Sequence, residues 1–204
     1  MAHVRLAVLA TATSLLGGCN LVVTDQPLFS KADGDGGPRF RAGVWNGAPP
    51  DCAFGESKPQ MDWPKCANAQ PPGSDPPPWL AVPGDPPILQ MTAPPQTGSM
   101  DSLSFYVGFQ VIRSDAAGRV TGVRFWPVQC GPPPPDGDKS GLTKHMAPGL
   151  KERKEGGDCT AESRQALRNA ARAGEAWVPG PEMKAHWVRD PIPGDLTGDP
   201  APPS

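Results

Sequence analysis

The sequence has little with which to do acid–base chemistry, with three histidines and a single tyrosine in 204 residues. It contains no C-x2-C or H-x3-H pair, so the usual zinc frameworks lack their ligands. Neither G-x-S-x-G nor S-x-x-K occurs, which removes the common serine-nucleophile signatures. Charge of one sign is also missing: 19 Lys and Arg face 21 Asp and Glu, for a formal net charge of -2. No basic field therefore recommends nucleic acid as a partner. The apolar run Leu6–Leu16 is eleven residues long, too short to span about 30 Å of hydrocarbon as a helix. Glycine is far below one third and follows no G-X-Y period, which excludes collagen.

What is abundant is proline and glycine, 29 and 24 residues, together about a quarter of the chain. That fraction borders on low-complexity composition. The two residues are concentrated in 67–87, 131–149 and 191–204, so the intervening sequence retains enough apolar residues for a modest core.

At the N-terminus, Arg5 precedes the short apolar run, the pattern of an export signal. The tetrapeptide Leu16-Gly17-Gly18-Cys19 follows. It resembles the lipobox of bacterial lipoproteins, a likeness confined to about the first twenty residues. The resemblance implies a signal peptide over 1–18, cleavage before Cys19, a diacylglycerol on the Cys19 sulfur and a further acyl chain on its new amino group. Two or three acyl chains anchor stably where one binds marginally. The implied partner is thus a membrane, reached through lipid on Cys19. An Asp after the cysteine would resemble the inner-membrane retention signal of Gram-negative bacteria. Asn20 stands there instead, which implies the periplasmic face of the outer membrane.

Four cysteines remain: Cys52, Cys66, Cys130 and Cys159. In an oxidising compartment an even count reads as two disulfides, with three connectivities open. Local pairing, Cys52 with Cys66 and Cys130 with Cys159, is favoured because each bridge closes a Pro/Gly-rich loop. No metal and no cofactor is expected.

The fold expected is α+β: a small antiparallel sheet, a meander around 88–128, with one helix at about 161–173 packed on it. Its centre is Ser102–Ile112, where Leu103, Phe105, Val107, Phe109 and Val111 alternate with Ser104, Tyr106, Gly108 and Gln110, giving one core face and one largely polar face. Ile88–Thr92 precedes it as a strand and Arg119–Val128 follows it. In the last, the apolar phase shifts between Val120 and Val123, which predicts a bulge near Gly122. Short strands are also expected in Arg39–Trp45 and, as a last edge strand, His186–Arg189. Thr160 reads as the helix N-cap and Gly174 as its stop. Around this domain, placed at 38–190, the sequence predicts a lipidated flexible tether over 19–37, Pro-rich loops at 67–87 and 131–149, and a disordered tail at 191–204.

Few constellations suggest chemistry. Asp136-Gly137-Asp138-Lys139-Ser140-Gly141 resembles half a calcium loop, but Ala147 stands where the bidentate Glu belongs, so a polar turn is the expectation. His145 and His186 read as surface residues, and Glu152, Glu155 and Glu162 as a solvated face. Arg164, Arg168 and Arg172 share a helix face by their i, i+4, i+8 spacing. That face reads as solvated, with contact to anionic headgroups as the sharper alternative. Six tryptophans are expected in the core, with an aromatic binding groove as the alternative. The reading is a lipid-anchored envelope lipoprotein, a non-enzymatic structural or interaction protein whose partner is an envelope protein or the cell wall. The alternatives are a periplasmic enzyme with an unidentified acid/base site and a carrier of an apolar ligand.

Overall fold

The computed structural model describes residues 20–48, 52–67, 79–93, 102–133, 145–153, 157–177, 183–193 and 195. Cys19, the Asp136–Gly141 turn, Glu155 and most of the expected tail lie outside these residues. The architecture is one large, mostly antiparallel open sheet with a single helix. Nine strands are described: β1 (Val23–Thr24), β2 (Val44–Asn46), β3 (Trp79–Val82), β4 (Ile88–Ala93), β5 (Leu103–Ser114), β6 (Val120–Pro127), β7 (Leu150–Glu152), β8 (Cys159–Ala161) and β9 (Lys184–Arg189). The large sheet has the order β2-β9-β6-β5-β4-β3, with β1 added beside the start of β5, while β7 and β8 form a separate pair. No helix among the described residues is long and apolar enough to cross a membrane.

The meander is present as β4-β5-β6, and its irregularity falls where the sequence phase shifts. Val111 pairs with Val123, Arg113 with Gly122 and Ser114 with Val120, which leaves Ile112 and Thr121 without register partners. The bulge turns Ile112 outward to 52 % exposure. The last strand is not an edge, because β9 lies between β6 and β2. The expected strand at Arg39–Trp45 shortens to β2, and Phe40 instead packs its ring 4.7 Å from that of Trp79. Within the expected Pro-rich connection, Trp79–Val82 forms the edge strand β3, paired along its length with β4. Alternating Trp, Leu, Ala and Val suffice to fill both faces of a short strand.

The expectation of one core face and one polar face on β5 does not hold. Phe109 is fully buried in a cluster with Trp45, Leu89, Val120, Val123 and Ala185 on one side. The opposite face is covered too: Ser104, Tyr106 and Gly108 are buried there, and Tyr106 packs with Ile88, Val82, Val128 and Leu167. Glycine at 108 is required by close approach, because an added Cβ would stand 2.6 Å from the Trp126 indole nitrogen. That nitrogen in turn donates to the Ala171 carbonyl at 2.7 Å, so the gap at Gly108 lets Trp126 join sheet to helix.

The helix α1 (Arg164–Gly174) buries Ala166, Leu167, Ala170, Ala171 and Gly174. It starts later than expected because Cys159–Ala161 is occupied by β8. Ser163 is the N-cap rather than Thr160, its hydroxyl accepting from the Ala166 amide at 3.1 Å. The small alanines let the helix approach the sheet closely, with Leu167 as its one large core side chain.

The expected tether is the largest departure. Val22 and Val23 are each 1 % exposed and Phe29 is 3 % exposed. The segment is held by Gln90 of β4 and by Tyr106, which alternation had assigned to the polar face. Gln90 accepts from the Phe29 amide at 2.9 Å and donates to the Phe29 carbonyl at 2.8 Å. The Tyr106 hydroxyl lies 2.5 Å from that of Thr24 and accepts from the Leu28 amide at 3.2 Å. Burial raises the Tyr106 pKa, so the phenol stays neutral and able to donate. Residues 20–37 therefore belong to the described fold.

A third cluster, Val44, Trp63 and Ala67 with Phe54 and Cys52, carries the Cys52–Cys66 loop. Arg189 ties it to β9, donating to the carbonyls of Glu56 and Lys58 and forming a two-pronged pair with Asp195. Asp195 has only 1 % of its side chain exposed and also accepts from the amides of Gln60 and Ile192. So Asp195, which lies within the expected disordered tail, is held against the Cys52–Cys66 loop and β9. The Arg189 hydrogen bond, helped by those amides, lowers the Asp195 pKa to about 2.

Two outcomes follow. Gly108→Ala should destabilise the fold by about 1–3 kcal/mol in denaturant titration, as overpacking against Trp126 requires. Asp195 has a folded pKa below its unfolded value, so its contribution is complete above about pH 4 and is lost as pH falls toward 2. Asp195→Asn should therefore lower the melting temperature at pH 7, and the gap to wild type should shrink progressively below pH 4.

Candidate functional site: the corner where residue 20 enters the fold

Leu21-Val22-Val23-Thr24 is a run of strand-forming residues with apolar side chains on both faces, and the structure buries both faces. Asn20 is 4 % exposed, donates from Nδ2 to the Gly131 carbonyl at 3.0 Å, and accepts from the Cys130 amide at 2.8 Å. The Val22 amide donates to Val128, and the Cys159 amide to Leu21. The Leu21 amide donates to Asp158 Oδ1 at 3.2 Å. Residues 20–22 are thus wedged between 128–131 and 158–159.

The Cys130–Cys159 disulfide closes across this wedge, with its Cα atoms 5.8 Å apart. The Cys130 sulfur lies 3.3 Å from the Leu21 carbonyl oxygen. This is a packing contact, since a disulfide carries no S–H to donate. The second bridge, Cys52–Cys66, also has Cα atoms 5.8 Å apart. Both local pairings favoured on sequence grounds are therefore present. Arg153 reinforces the corner: its amide donates to the Asp158 carbonyl and its guanidinium pairs with Asp25 at 2.8 Å. The Ala147 amide donates to the Cys130 carbonyl at 2.7 Å, which brings His145 and the 42 % exposed Met146 to the same corner.

The arginine row of α1 is not a free cationic face. Arg164 donates to the Leu28 carbonyl and pairs with Asp33, Arg168 donates to the Pro83 carbonyl, and Arg172 to the Asp85 carbonyl. Gly84, at φ 154°, leaves the space that the Arg168 guanidinium fills, since a Cβ there would lie 1.9 Å from Nη1. Guanidinium groups satisfy loop carbonyls that no strand pairs, and the row is a seam joining helix, N-terminal segment and β3–β4 turn. The Arg164 guanidinium, with the Ser30 hydroxyl and amide as the stronger donors, holds the Asp33 pKa below its usual value.

The remaining candidates are separated from one another. His186 Nε2 lies 2.9 Å from Glu56 Oε1, and Asn46, its cross-strand partner, donates to the same oxygen at 2.7 Å. Glu56 thus struts β2 and β9, and sequence spacing alone had no way to bring these three together. His186 borders a shallow groove of about 410 Å³ with Ile112, Arg113, Gly122, Lys184 and Ala185. A larger groove of about 770 Å³ is lined chiefly by Gly34–Arg39 and the Pro83–Pro87 turn. Glu162 pairs with Lys151, and Glu152 is exposed. Trp45, Trp63 and Trp126 are buried; Trp79 and Trp187 are half-buried against the cluster that holds Trp45, and Trp177 is half-buried against another. The tryptophans therefore serve the packing of more than one cluster. No group of three His, Cys, Asp or Glu among the described residues is arranged to hold a metal ion. The chain matches no protein-family model, no curated protein and no solved structure.

Replacing Cys130 and Cys159 together by alanine should cost about 3–4 kcal/mol for a loop of this length. Hydrogen exchange should report the loss locally, with the amides of Val22 and Cys159 losing protection before those of β4 and β5. Uniform loss across the sheet would show that the bridge does not act through the wedge.

Proposed function

We propose that the chain is an exported, lipid-anchored envelope protein, held by acyl chains on Cys19 at the periplasmic face of the outer membrane, and acting by contact rather than by catalysis. The observation that carries this reading is the lipobox likeness at Leu16-Gly17-Gly18-Cys19, and the residue that follows it, Asn20, is buried and hydrogen-bonded. Cleavage before Cys19 would release the whole described fold and place the lipid at its rim. Two disulfides suit an oxidising compartment such as the periplasm. A contact role draws support from the β5–β6 hairpin, where Val111 and Ile112 are 38 % and 52 % exposed. Two adjacent outward apolar residues beside a groove suit an envelope-protein partner. Titratable groups near them serve as struts: Glu56 holds Asn46 and His186, and Arg189 holds Asp195.

Cys19→Ser should abolish labelling by a radioactive or clickable fatty acid and move the protein from the membrane fraction to the soluble fraction. Unchanged membrane retention would sink the anchor. Photo-crosslinking from position 112 in intact cells should capture one discrete envelope partner, and adding Val111→Asp to the same photo-reactive protein should abolish that product while leaving the melting temperature within a few degrees.

A further inference from the structure

The geometry points to a fixed orientation on the membrane: we propose that the corner formed by Gly131–Pro133, His145–Met146 and Asp158 rests on the phospholipid surface that holds the lipid on Cys19, with Met146 reaching the boundary between headgroups and acyl chains. The inference rests on the lipid-anchor reading and adds what the fold does with it.

Lipid on Cys19 would put that residue at headgroup depth. The next Cα is 3.8 Å away across a trans peptide bond. It belongs to Asn20, whose side chain is bonded to Gly131 and whose carbonyl is bonded to Cys130. One further hydrogen bond leads from Cys130 to Ala147, the neighbour of Met146. The headgroup layer of one leaflet is about 5–8 Å thick. A domain attached with no slack cannot stand off from such a layer. The corner residues must lie in it or directly on it.

The chemistry of the corner suits that position. The peptide groups at the entry are already spent, between Asn20 and Cys130, Leu21 and Asp158, and Cys159 and Leu21. Lowering the corner into a drier layer therefore keeps these backbone bonds, with Asn20 Oδ1 and Gln129 Oε1 already buried without a partner there. Arg153 is neutralised by Asp25, and Lys151 by Glu162. These two cations of the described corner are thus already paired. Met146 is the large apolar side chain exposed beside the entry point. Its flexible thioether suits a fluid boundary. Ile112 is also apolar and exposed, but lies towards the far end of β5, six residues from Tyr106, whose carbonyl accepts from Val128, the residue bonded to the Val22 amide. At strand rise that is roughly 20 Å along β5. It serves as the internal control.

The test uses the full chain, produced with its export signal, purified and incorporated into vesicles of phosphatidylethanolamine and phosphatidylglycerol. Benzoylphenylalanine replaces Met146 in one variant and Ile112 in another, and intact mass first establishes that each carries its acyl groups. After irradiation, lipid adducts at position 146 should exceed those at 112 by about tenfold. Equal adducts at both positions, or none at 146, in acylated protein overturn the orientation and leave the anchor standing. Protein whose mass shows no acyl group refutes the anchor reading itself. Insertion of about fifteen Gly/Ser residues between Cys19 and Asn20 gives a mean reach near 20 Å. It should erase the preference for position 146 with acylation unchanged, and a preference that survives the insertion overturns the claim that the missing slack sets the orientation.

Discussion

The structure depends on the insertion of residues 20–29 into the sheet and the core beneath it. Val22 and Val23 fill space on both sides of a short strand, Phe29 enters under the helix, and the backbone between them is held by Gln90 and Tyr106. Without this segment, β5 would lose its partner beyond the end of β6. Gln90 would be buried with both ends unsatisfied, and the Cys130–Cys159 bridge would close on a gap. Buried polar groups left without partners cost about 1–3 kcal/mol each, a large share of a small domain's stability.

The same logic explains why three separate clusters cohere in a chain so rich in proline and glycine. Polar ties add to the apolar packing within and beside these clusters. The arginines of α1 bind carbonyls of the N-terminal segment and of the β3–β4 turn. Arg189 binds carbonyls of the Cys52–Cys66 loop and the Asp195 carboxylate. Irregular connections expose backbone carbonyls that no ladder satisfies, and guanidinium groups supply several donors in a fixed fork. The loops are therefore constraints on the fold as well as links within it.

This arrangement bears on how the protein would work. A lipid-anchored domain on a long tether samples many orientations and reaches distant partners. On the proposed anchor, a domain whose first residue past the lipidated cysteine is buried would present one face to the membrane. The outward bulge at Ile112, where the β5–β6 register breaks, then becomes a surface held at a set height, which favours recognition of a partner in one geometry.

Local patterns in the chain were enough to indicate the meander, the helix, the bulge opposite Gly122 and both disulfides, because alternation, capping residues and short loop closure act between near neighbours. Those patterns could not tell which side of β5 meets solvent. Ser104, Tyr106 and Gly108 look like an outer face until Thr24 pairs beside Ser104, Thr24 and Leu28 bond the Tyr106 hydroxyl, and Trp126 fills the space left by the missing side chain at Gly108. The arginine row looks like a solvated stripe for the same reason, since its partners at Leu28, Pro83 and Asp85 are far away in sequence. Asp33-Gly34-Asp35-Gly36-Gly37 invites the idea of a free tether, and composition is a sound guide to what a segment can bury. It carries no information about whether the residues just before it, Leu21 to Phe29, will find a slot. Only the closed fold, by bringing 104–106, 128–131 and 158–159 together, creates that slot.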